Sequence, residues 1–215
     1  MSALLRQAAA LRQQGRYADA ARLYQQILRA NPRDFEALYT FGLLQLECGQ
    51  FEAAQTLIGQ ALAINPGFAE GQIPRGIALM QLQRPADAVA CLERALAIKP
   101  NLVEAHAIRA TVMMEMQRLE DALAGFDAAL ALDPNHAISW NNRGNTLAAM
   151  KRFEEAMASY DRALAIAPEL PQARDNRMNA LFELKRASRC PPGYMRTLFD
   201  EFASHYDETM LEKLG

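Results

Sequence analysis

Histidine and acidic residues are the side chains of this chain that could bind a metal ion or transfer a proton. His106, His136 and His205 lie on separate predicted elements, without the clustered ligand spacing of a metal site. Acid pairs at positions 120–121 and 154–155 recur where solvent is expected, which is typical of a solvated helix face. The chain has no glycine-rich phosphate loop, Gly-x-Ser-x-Gly motif or dinucleotide fingerprint. We therefore expect no metal, no cofactor and no catalysis.

Charge and cysteine content narrow the function further. The chain has 215 residues with 23 Lys and Arg against 25 Asp and Glu, so it lacks the basic surplus of a nucleic-acid binder. Cys48, Cys91 and Cys190 are widely spaced and odd in number, unlike a disulfide framework or the close pairs of a zinc site. No secretory signal and no long apolar stretch are present. These observations predict a cytoplasmic protein in a reducing compartment, with no nucleic-acid or membrane partner.

A proline recurs every 34 residues, which reveals an internal repeat. Setting each proline at position 32 of a unit gives units 1–34, 35–68, 69–102, 103–136 and 137–170. Position 8 is then glycine or alanine, position 20 is alanine, and position 24 is large. The prolines are Pro32, Pro66, Pro100, Pro134 and Pro168, and the large residues are Tyr24, Ile58, Leu92, Phe126 and Tyr160. Small residues permit close helix packing and the large one fills the remaining gap, so these columns predict helix contacts.

Each unit has the apolar spacing of two helices with a short break near position 15. The break contains Gly15 in the first unit, Gly49 in the second and polar residues in the later ones. The composition is rich in alanine, leucine, glutamine, glutamate and arginine, which are strong helix formers. A single hairpin cannot bury its apolar face alone, so neighbouring units must stack. The sequence therefore predicts an all-α solenoid of five helical hairpins.

These columns resemble those of the tetratricopeptide repeat (TPR) family, and the fifth unit is the best match. The matching residues of that unit are Trp140, Gly144, Phe153, Ala156, Tyr160, Ala163, Leu164 and Pro168. The resemblance covers residues 1 to about 187 and implies a right-handed superhelix whose concave face is lined by the first helix of each unit. TPR arrays bind other proteins in many unrelated settings, so the resemblance implies a binding scaffold without naming its partner.

The repeat pattern ends in a half unit followed by a break. Residues 171–187 resemble a sixth first helix, but Met178 replaces the small residue of position 8 and no second helix follows. We interpret this segment as the capping helix of the stack. Residues 188–193 include two prolines and a glycine, which interrupt a helix. The predicted organisation is an array with its cap over 1–187, a linker over 188–193 and a separate helix over 194–215.

The TPR resemblance divides the predicted groove into two chemical regions. In the family, first-helix positions 2, 5, 6, 9, 12 and 13 face the groove. Units two to four carry an apolar region at these positions, composed of Tyr39, Leu43, Leu46, Ile73, Ile77, Met80, Ile108 and Met114. The fifth unit and the cap carry an asparagine region, composed of Asn142, Asn145, Asn176 and Asn179. The resemblance thus implies a groove that binds a peptide or a helix of a partner protein.

Both regions leave a structural alternative open. An asparagine ladder can match the N–H and C=O groups of an extended peptide, but such residues can equally hydrogen-bond neighbouring helices. About half of the apolar residues are expected to belong to the core, and the exposed remainder, with the flexible Met80 and Met114, predicts a partner site. Pro74 lies inside a predicted first helix and should shorten or bend it near residues 71–73.

Residues 194–215 resemble a second family. They are similar to the opening of the methyltransferase domain in bacterial proteins that join a TPR array to an S-adenosylmethionine-dependent methyltransferase. The matching residues are Tyr194, Leu198, Phe199, Asp200, Phe202, Ala203, Tyr206, Asp207, Leu211, Lys213, Leu214 and Gly215. The acidic-Gly-x-Gly turn that holds the cofactor in such enzymes does not occur in this chain. The resemblance therefore implies, as an alternative function, the substrate-recruiting part of a longer methyltransferase.

The same segment has the spacing of a strongly amphipathic helix. Its apolar stripe consists of Met195, Leu198, Phe199, Phe202, Tyr206 and Met210. An uncovered stripe forgoes roughly 1.5–3 kcal/mol for each large apolar side chain, so we expect it to pack against protein. Capture by the groove of a second copy would make the chain self-associate.

Overall fold

The computed structural model describes residues 3 to 187, and this range folds into eleven helices without a strand. Ten of them form five consecutive hairpins and the last stands alone. The hairpins are α1 (Ala3–Gln13) with α2 (Tyr17–Ala30), α3 (Phe35–Glu47) with α4 (Phe51–Ile64), α5 (Ala69–Gln81) with α6 (Pro85–Ile98), α7 (Val103–Glu115) with α8 (Leu119–Leu132), and α9 (Ala137–Ala149) with α10 (Phe153–Ile166); α11 spans Pro171–Ala187. The predicted all-α solenoid of five hairpins and a capping helix is confirmed.

A left-handed residue at position 15 closes the turn inside each hairpin. Gly15 and Gly49 adopt φ values of 73° and 72°, which glycine reaches without steric cost. The equivalent residues of the later units reach φ values of 57° to 61° with a side chain; they are Gln83, Gln117 and Lys151. In the second unit the N–H of Gln50 then donates to the carbonyl of Gln45 at 2.8 Å. This bond satisfies a carbonyl that the end of the helix leaves open, so the turn is fixed by backbone chemistry.

The repeated proline ends the second helix of each unit. In the first unit Asn31 still donates its N–H to the carbonyl of Ile27 at 2.8 Å, but its backbone is extended at φ −138° and ψ 91°. Pro32 follows; it has no N–H, and its ring disfavours helical backbone in the residue before it. The 34-residue proline spacing therefore marks the point where each hairpin passes to the next.

The small and large columns meet inside each hairpin. A Cβ added to Gly42 would lie 2.5 Å from Cγ1 of Ile58, and one added to Gly76 would lie 3.1 Å from Cγ of Leu92. The position-24 side chains are fully buried, as are the alanines at position 20, which are Ala20, Ala54, Ala88, Ala122 and Ala156. Glycine at position 8 therefore makes room for the large residue that fills the hairpin.

In successive units, the first helices lie closer to one another than the second helices do. Cα atoms of first helices in successive units approach within 8 Å, whereas those of successive second helices within residues 3 to 187 do not. The stack is therefore narrower along α1, α3, α5, α7, α9 and α11, and these helices line its inner side. We call this inner surface the first-helix face.

Pro74 does not shorten its helix, so the predicted shortening was wrong. Helix α5 spans Ala69–Gln81 and is 13 residues long, which is also the length of α3, α7 and α9. Pro74 is buried and lies in the second turn, where its ring removes a single N–H from the helical ladder. Burial of the surrounding residues, which include Ile73 and Leu79, holds the helix together across this gap.

The linker predicted over 188–193 and the helix predicted over 194–215 lie outside the described residues. The predicted self-association residues and the methyltransferase-like segment lie there with them. Over the part of the chain that the structure describes, no helix is long and apolar enough to cross a membrane.

Candidate functional site

Asparagine side chains link the fifth unit to the capping helix. Asn176 of α11 donates from Nδ2 to Oδ1 of Asn141 at 3.1 Å, and Asn141 donates in turn to Oδ1 of Asn142 at 3.1 Å. Asn145, one turn further along α9, accepts a hydrogen bond from the hydroxyl of Tyr160 at 2.9 Å. Two of the four predicted asparagines, Asn145 and Asn176, thus bond neighbouring helices, as the structural alternative expected. Asn141, which is buried and joins Asn142 to Asn176, was missed by the analysis of groove positions.

The same region forms an open cleft of about 290 Å³ between α9, α10 and α11. The cleft is lined by Asn145, Asn176, Asn179 and Tyr160. Asn142 does not line it, but is linked to Asn176 through the hydrogen bonds of Asn141. The structure therefore brings three of the four predicted asparagines into one cleft. We call it the asparagine cleft.

The hydrogen bonds within the asparagine cleft leave it both donors and acceptors. Asn145 uses its oxygen for Tyr160, so its amide N–H groups stay available. Asn176 uses its amide nitrogen for Asn141, so its oxygen stays available. The side chain of Asn179 is exposed and makes no hydrogen bond to any residue between 3 and 187. Donors and acceptors side by side are what the alternating N–H and C=O groups of an extended backbone require.

One acid and one phenol set the electrostatics of the asparagine cleft. Glu183 of α11 lines it and forms an ion pair with Arg186 at 3.1 Å. Tyr160 is 1% exposed, and burial raises its pKa to about 12, because the charged phenolate would lose its hydration. Its hydroxyl therefore stays protonated and donates to Asn145, which fixes the orientation of that amide.

Alkaline pH should test the buried phenol of Tyr160. Folding raises the pKa of Tyr160 from 10.0 to about 12. The stabilising contribution of the neutral phenol is therefore complete below about pH 10 and is lost as the pH rises towards 12. Tyr160→Phe has no proton to lose, so its free energy of unfolding should fall less than that of the native chain between pH about 9 and about 11.5. Urea unfolding at both pH values measures the difference. Equal falls in the two chains would contradict a shifted phenol.

The apolar region divides between core and surface. Ile73 is 4% exposed and belongs to the central core, so it offers no surface to a partner. Ile77, Met80, Ile108 and Met114 pack against that core and keep part of their surface open. Of the eight apolar residues predicted to face the groove, only Ile73 is buried and the other seven are partly exposed, so fewer than the expected half belong to the core.

In the second unit, Tyr39 of the apolar region packs in a group of aromatic rings. Tyr39 contacts Phe68 edge to face, with ring centroids 4.9 Å apart, and stacks on Phe35 with centroids 6.3 Å apart. Leu43 and Leu46 lie further along α3. The partly exposed apolar residues of units two to four and the asparagine cleft thus both include side chains of first helices.

The histidines and the metal-binding residue types of the described range do not form a metal site. No group of three or more His, Cys, Asp and Glu residues between 3 and 187 is placed to hold a metal ion. His106 contacts the carbonyl of Pro100 at 2.9 Å and His136 contacts the hydroxyl of Ser139 at 2.7 Å. Both histidines thus sit at helix starts as hydrogen-bonded structural residues.

Solved structures of the same architecture come from several proteins. The chain resembles TTC0263, a TPR protein of Thermus thermophilus, with 27% identity and a TM-score of 0.67 over 83% of this chain and 97% of that one. YrrB, a TPR protein with an unusual peptide-binding site, gives 24% identity and a TM-score of 0.67 over 80% of this chain and 89% of YrrB. MamA of Desulfovibrio magneticus RS-1 gives 18% identity and a TM-score of 0.71 over 79% of this chain and 98% of MamA. No curated protein matches the chain.

Family models give the assignment. Tetratricopeptide repeat models match residues 11–73, 75–102 and 109–171, which together make up more than half of the chain. These matches fall on the hairpins described above, and the solenoid is shared with the solved TPR structures. The chain therefore belongs to the tetratricopeptide repeat family.

Proposed function

We propose that this protein is an interaction scaffold whose first-helix face binds an extended peptide segment of a partner protein. The observation that carries the proposal is the asparagine cleft, where Asn145 offers amide donors, Asn176 offers an acceptor and Asn179 is free to do both. The peptide-binding site of YrrB supports this use of the fold. In this proposal the cleft binds the peptide backbone and gives little side-chain selectivity.

The apolar region supplies the selectivity in this proposal. Ile77, Met80, Ile108 and Met114 would contact apolar side chains of the same peptide further along the first-helix face. The two methionines are flexible, so the surface can adapt to more than one side-chain shape. We therefore expect bound peptides to carry large apolar residues on one side of the segment that contacts the asparagines.

Asn179→Ala should weaken peptide binding by about threefold to tenfold, because one hydrogen bond contributes about 0.5–1.5 kcal/mol. The side chain of Asn179 makes no hydrogen bond within the described chain, so its loss should not disturb the fold. The probe is a peptide selected from a displayed random library on the full chain, and fluorescence anisotropy measures its affinity. Asn142→Ala combined with Asn176→Ala should weaken it further.

The matched control is Asn101→Ala, which removes an exposed asparagine in the turn between α6 and α7. Its affinity should equal that of the native chain. Unchanged affinity in both the Asn179 variant and the double variant would assign the asparagines to helix packing alone. Selection of no peptide at all would contradict the proposed function.

The methyltransferase alternative rests on residues 194–215 alone. In that alternative the TPR array would recruit a protein substrate to a catalytic domain encoded beyond Gly215, and the reading frame of the gene tests it directly. Self-association through the same segment predicts a larger mass for the full chain than for one ending at Arg189, which light scattering measures. The cytoplasmic location and the absence of a nucleic-acid partner stay predictions.

A further inference from the structure

Arginine recurs at position 7 of four consecutive first helices, as Arg75, Arg109, Arg143 and Arg177. In the last two, the arginine binds an aspartate on the second helix of the preceding unit. Nε of Arg143 lies 2.7 Å from Oδ1 of Asp127, and Nε of Arg177 lies 2.5 Å from Oδ1 of Asp161. Both bonds join residues 16 apart in sequence. Position 25 of one unit thus supplies the carboxylate for position 7 of the next.

Arg75 has the same place in the fold but no carboxylate. The residue 16 before it is Gly59, and a Cβ added there would lie 3.3 Å from both Cζ and Nη2 of Arg75. The guanidinium therefore rests against the position that would carry the acid. Its Nε is buried without a hydrogen-bond partner, and Arg75 forms no ion pair within residues 3 to 187. A partly buried cation without a counter-ion is costly, so this one is poised to accept an anion.

The neighbouring interface, around Arg109, also holds an arginine whose buried Nε has no partner among the described residues. Arg109 makes no ion pair in the described chain, but it has Glu93 at the position 16 before it. Glu93 is thus an acid of the chain itself at the position that pairs with arginine in the last two interfaces. Gly59 has no side chain, so Arg75 has no such internal counter-ion.

Arg75 lines an open pocket of about 410 Å³ between the second helices α4 and α6. Arg94 of α6 is a second cation on its wall, and no aspartate or glutamate of the described chain lines it. The acid of the same first helix, Glu70, is bound to Lys99 at 2.8 Å. Gln72 also lines the pocket; the residue is 6% exposed and its side-chain oxygen accepts no hydrogen bond from residues 3 to 187. The remaining wall is mainly apolar.

We propose that this pocket binds the carboxylate of an aspartate or glutamate side chain of a partner protein. The chain itself pairs two of the three equivalent arginines, Arg143 and Arg177, with carboxylates, and a guanidinium matches a carboxylate through paired hydrogen bonds. Gln72 needs a donor, which a backbone N–H beside the acidic side chain provides and a carboxylate alone does not. The apolar wall accepts the methylene groups of the same residue. Because the pocket opens between second helices, it is separate from the asparagine cleft.

The test titrates the full chain with the blocked peptide acetyl-Ala-Ala-Glu-Ala-Ala-amide and follows the arginine Nε–Hε signals by NMR. The Arg75 signal, assigned by its loss in Arg75→Lys, should shift and saturate. The glutamine analogue of the peptide should cause no shift. Two further probes, the glutamine analogue with a free C-terminus and inorganic phosphate, should bind more weakly than the glutamate peptide at equal ionic strength. Equal binding by either of them would overturn the assignment to an acidic side chain.

Gly59→Asp supplies the missing internal carboxylate and should weaken the glutamate peptide by at least about tenfold, because its own acid occupies Arg75. The matched control is Gln60→Asp, which adds the same charge at the adjacent exposed residue and should change the affinity by less than about threefold. Arg75→Gln should also weaken binding by at least about tenfold, which keeps the test valid if Gly59→Asp does not fold. Retained affinity in folded Gly59→Asp or in Arg75→Gln, or equal loss in Gln60→Asp, would contradict the proposal.

Discussion

Replacing Phe126 with alanine should lower the free energy of unfolding by about 3–5 kcal/mol. Phe126 occupies position 24 of the fourth unit, is 0% exposed and belongs to the central core with Ala110 and Ala122. Its ring fills the space left by those small residues, so alanine would leave a cavity that the two helices α7 and α8 cannot close. Urea unfolding followed by circular dichroism measures the loss.

The matched control is Phe182→Ala on α11, where the ring is 40% exposed. This side chain gives up less burial on unfolding, so its truncation should cost about 1 kcal/mol or less. Similar losses in the two variants would show that the ring of Phe126 does not hold the centre of the array. Folding of the control also confirms that a phenylalanine can be removed without a general effect on the solenoid.

The hairpins could be predicted from the sequence because their boundaries depend on local backbone chemistry. Proline ends a helix wherever it occurs after the last turn, and its 34-residue spacing transfers the same boundary to every unit. Small residues at positions 8 and 20 indicated which faces meet, and the burial of Ala20 and Tyr24 agrees with that prediction. The hairpins and their stacking therefore followed from the repetition, and the family followed from the resemblance of the repeated columns.

The candidate site was less predictable, because the position of a residue in the repeat does not reveal which of its side-chain atoms are hydrogen-bonded within the protein. The sequence placed Asn145 and Asn176 on one face, but only the structure shows that the first accepts a bond from Tyr160 and the second donates to Asn141. Similarly, Ile73 and Ile77 are four residues apart on the same helix, yet the first is buried and the second is partly open. First helices contact neighbours on several sides, so helical spacing alone does not separate core from surface.

Arg75 is a case in which the signal was present in the sequence. Arginine at position 7 recurs in register, and so does an acid at position 25 of the last three units, whereas the second unit has Gly59 there. In the last two interfaces the arginine at position 7 pairs with the acid at position 25 of the preceding unit, so the relation is visible only between adjacent units and not within one unit. The pocket itself could not be predicted from the sequence, because it depends on how α4, α5 and α6 are placed in space.

Gly144→Val should lower the free energy of unfolding by about 1–3 kcal/mol. A Cβ added to Gly144 would lie 2.7 Å from Cδ1 of Tyr160 and 2.8 Å from Cζ, so the branched side chain of valine cannot fit beside that ring. Valine improves on glycine in a helix by only about 0.3 kcal/mol, so the steric cost is larger than the gain in helix propensity. The ring of Tyr160 is 1% exposed and its hydroxyl is bound to Asn145, so a shift of the ring would expose buried surface and strain that hydrogen bond.

The same substitution should also weaken peptide binding, because a displaced Tyr160 releases the amide of Asn145 in the asparagine cleft. Urea unfolding measures the first effect and anisotropy with the selected peptide measures the second. Ala149→Val is the control; it adds valine at an exposed residue at the end of the same helix and should cost no more than about 0.7 kcal/mol. A Gly144→Val chain as stable as the native one would mean that the ring moves at no cost. The contact between positions 8 and 24 would then not be what restricts position 144 to glycine.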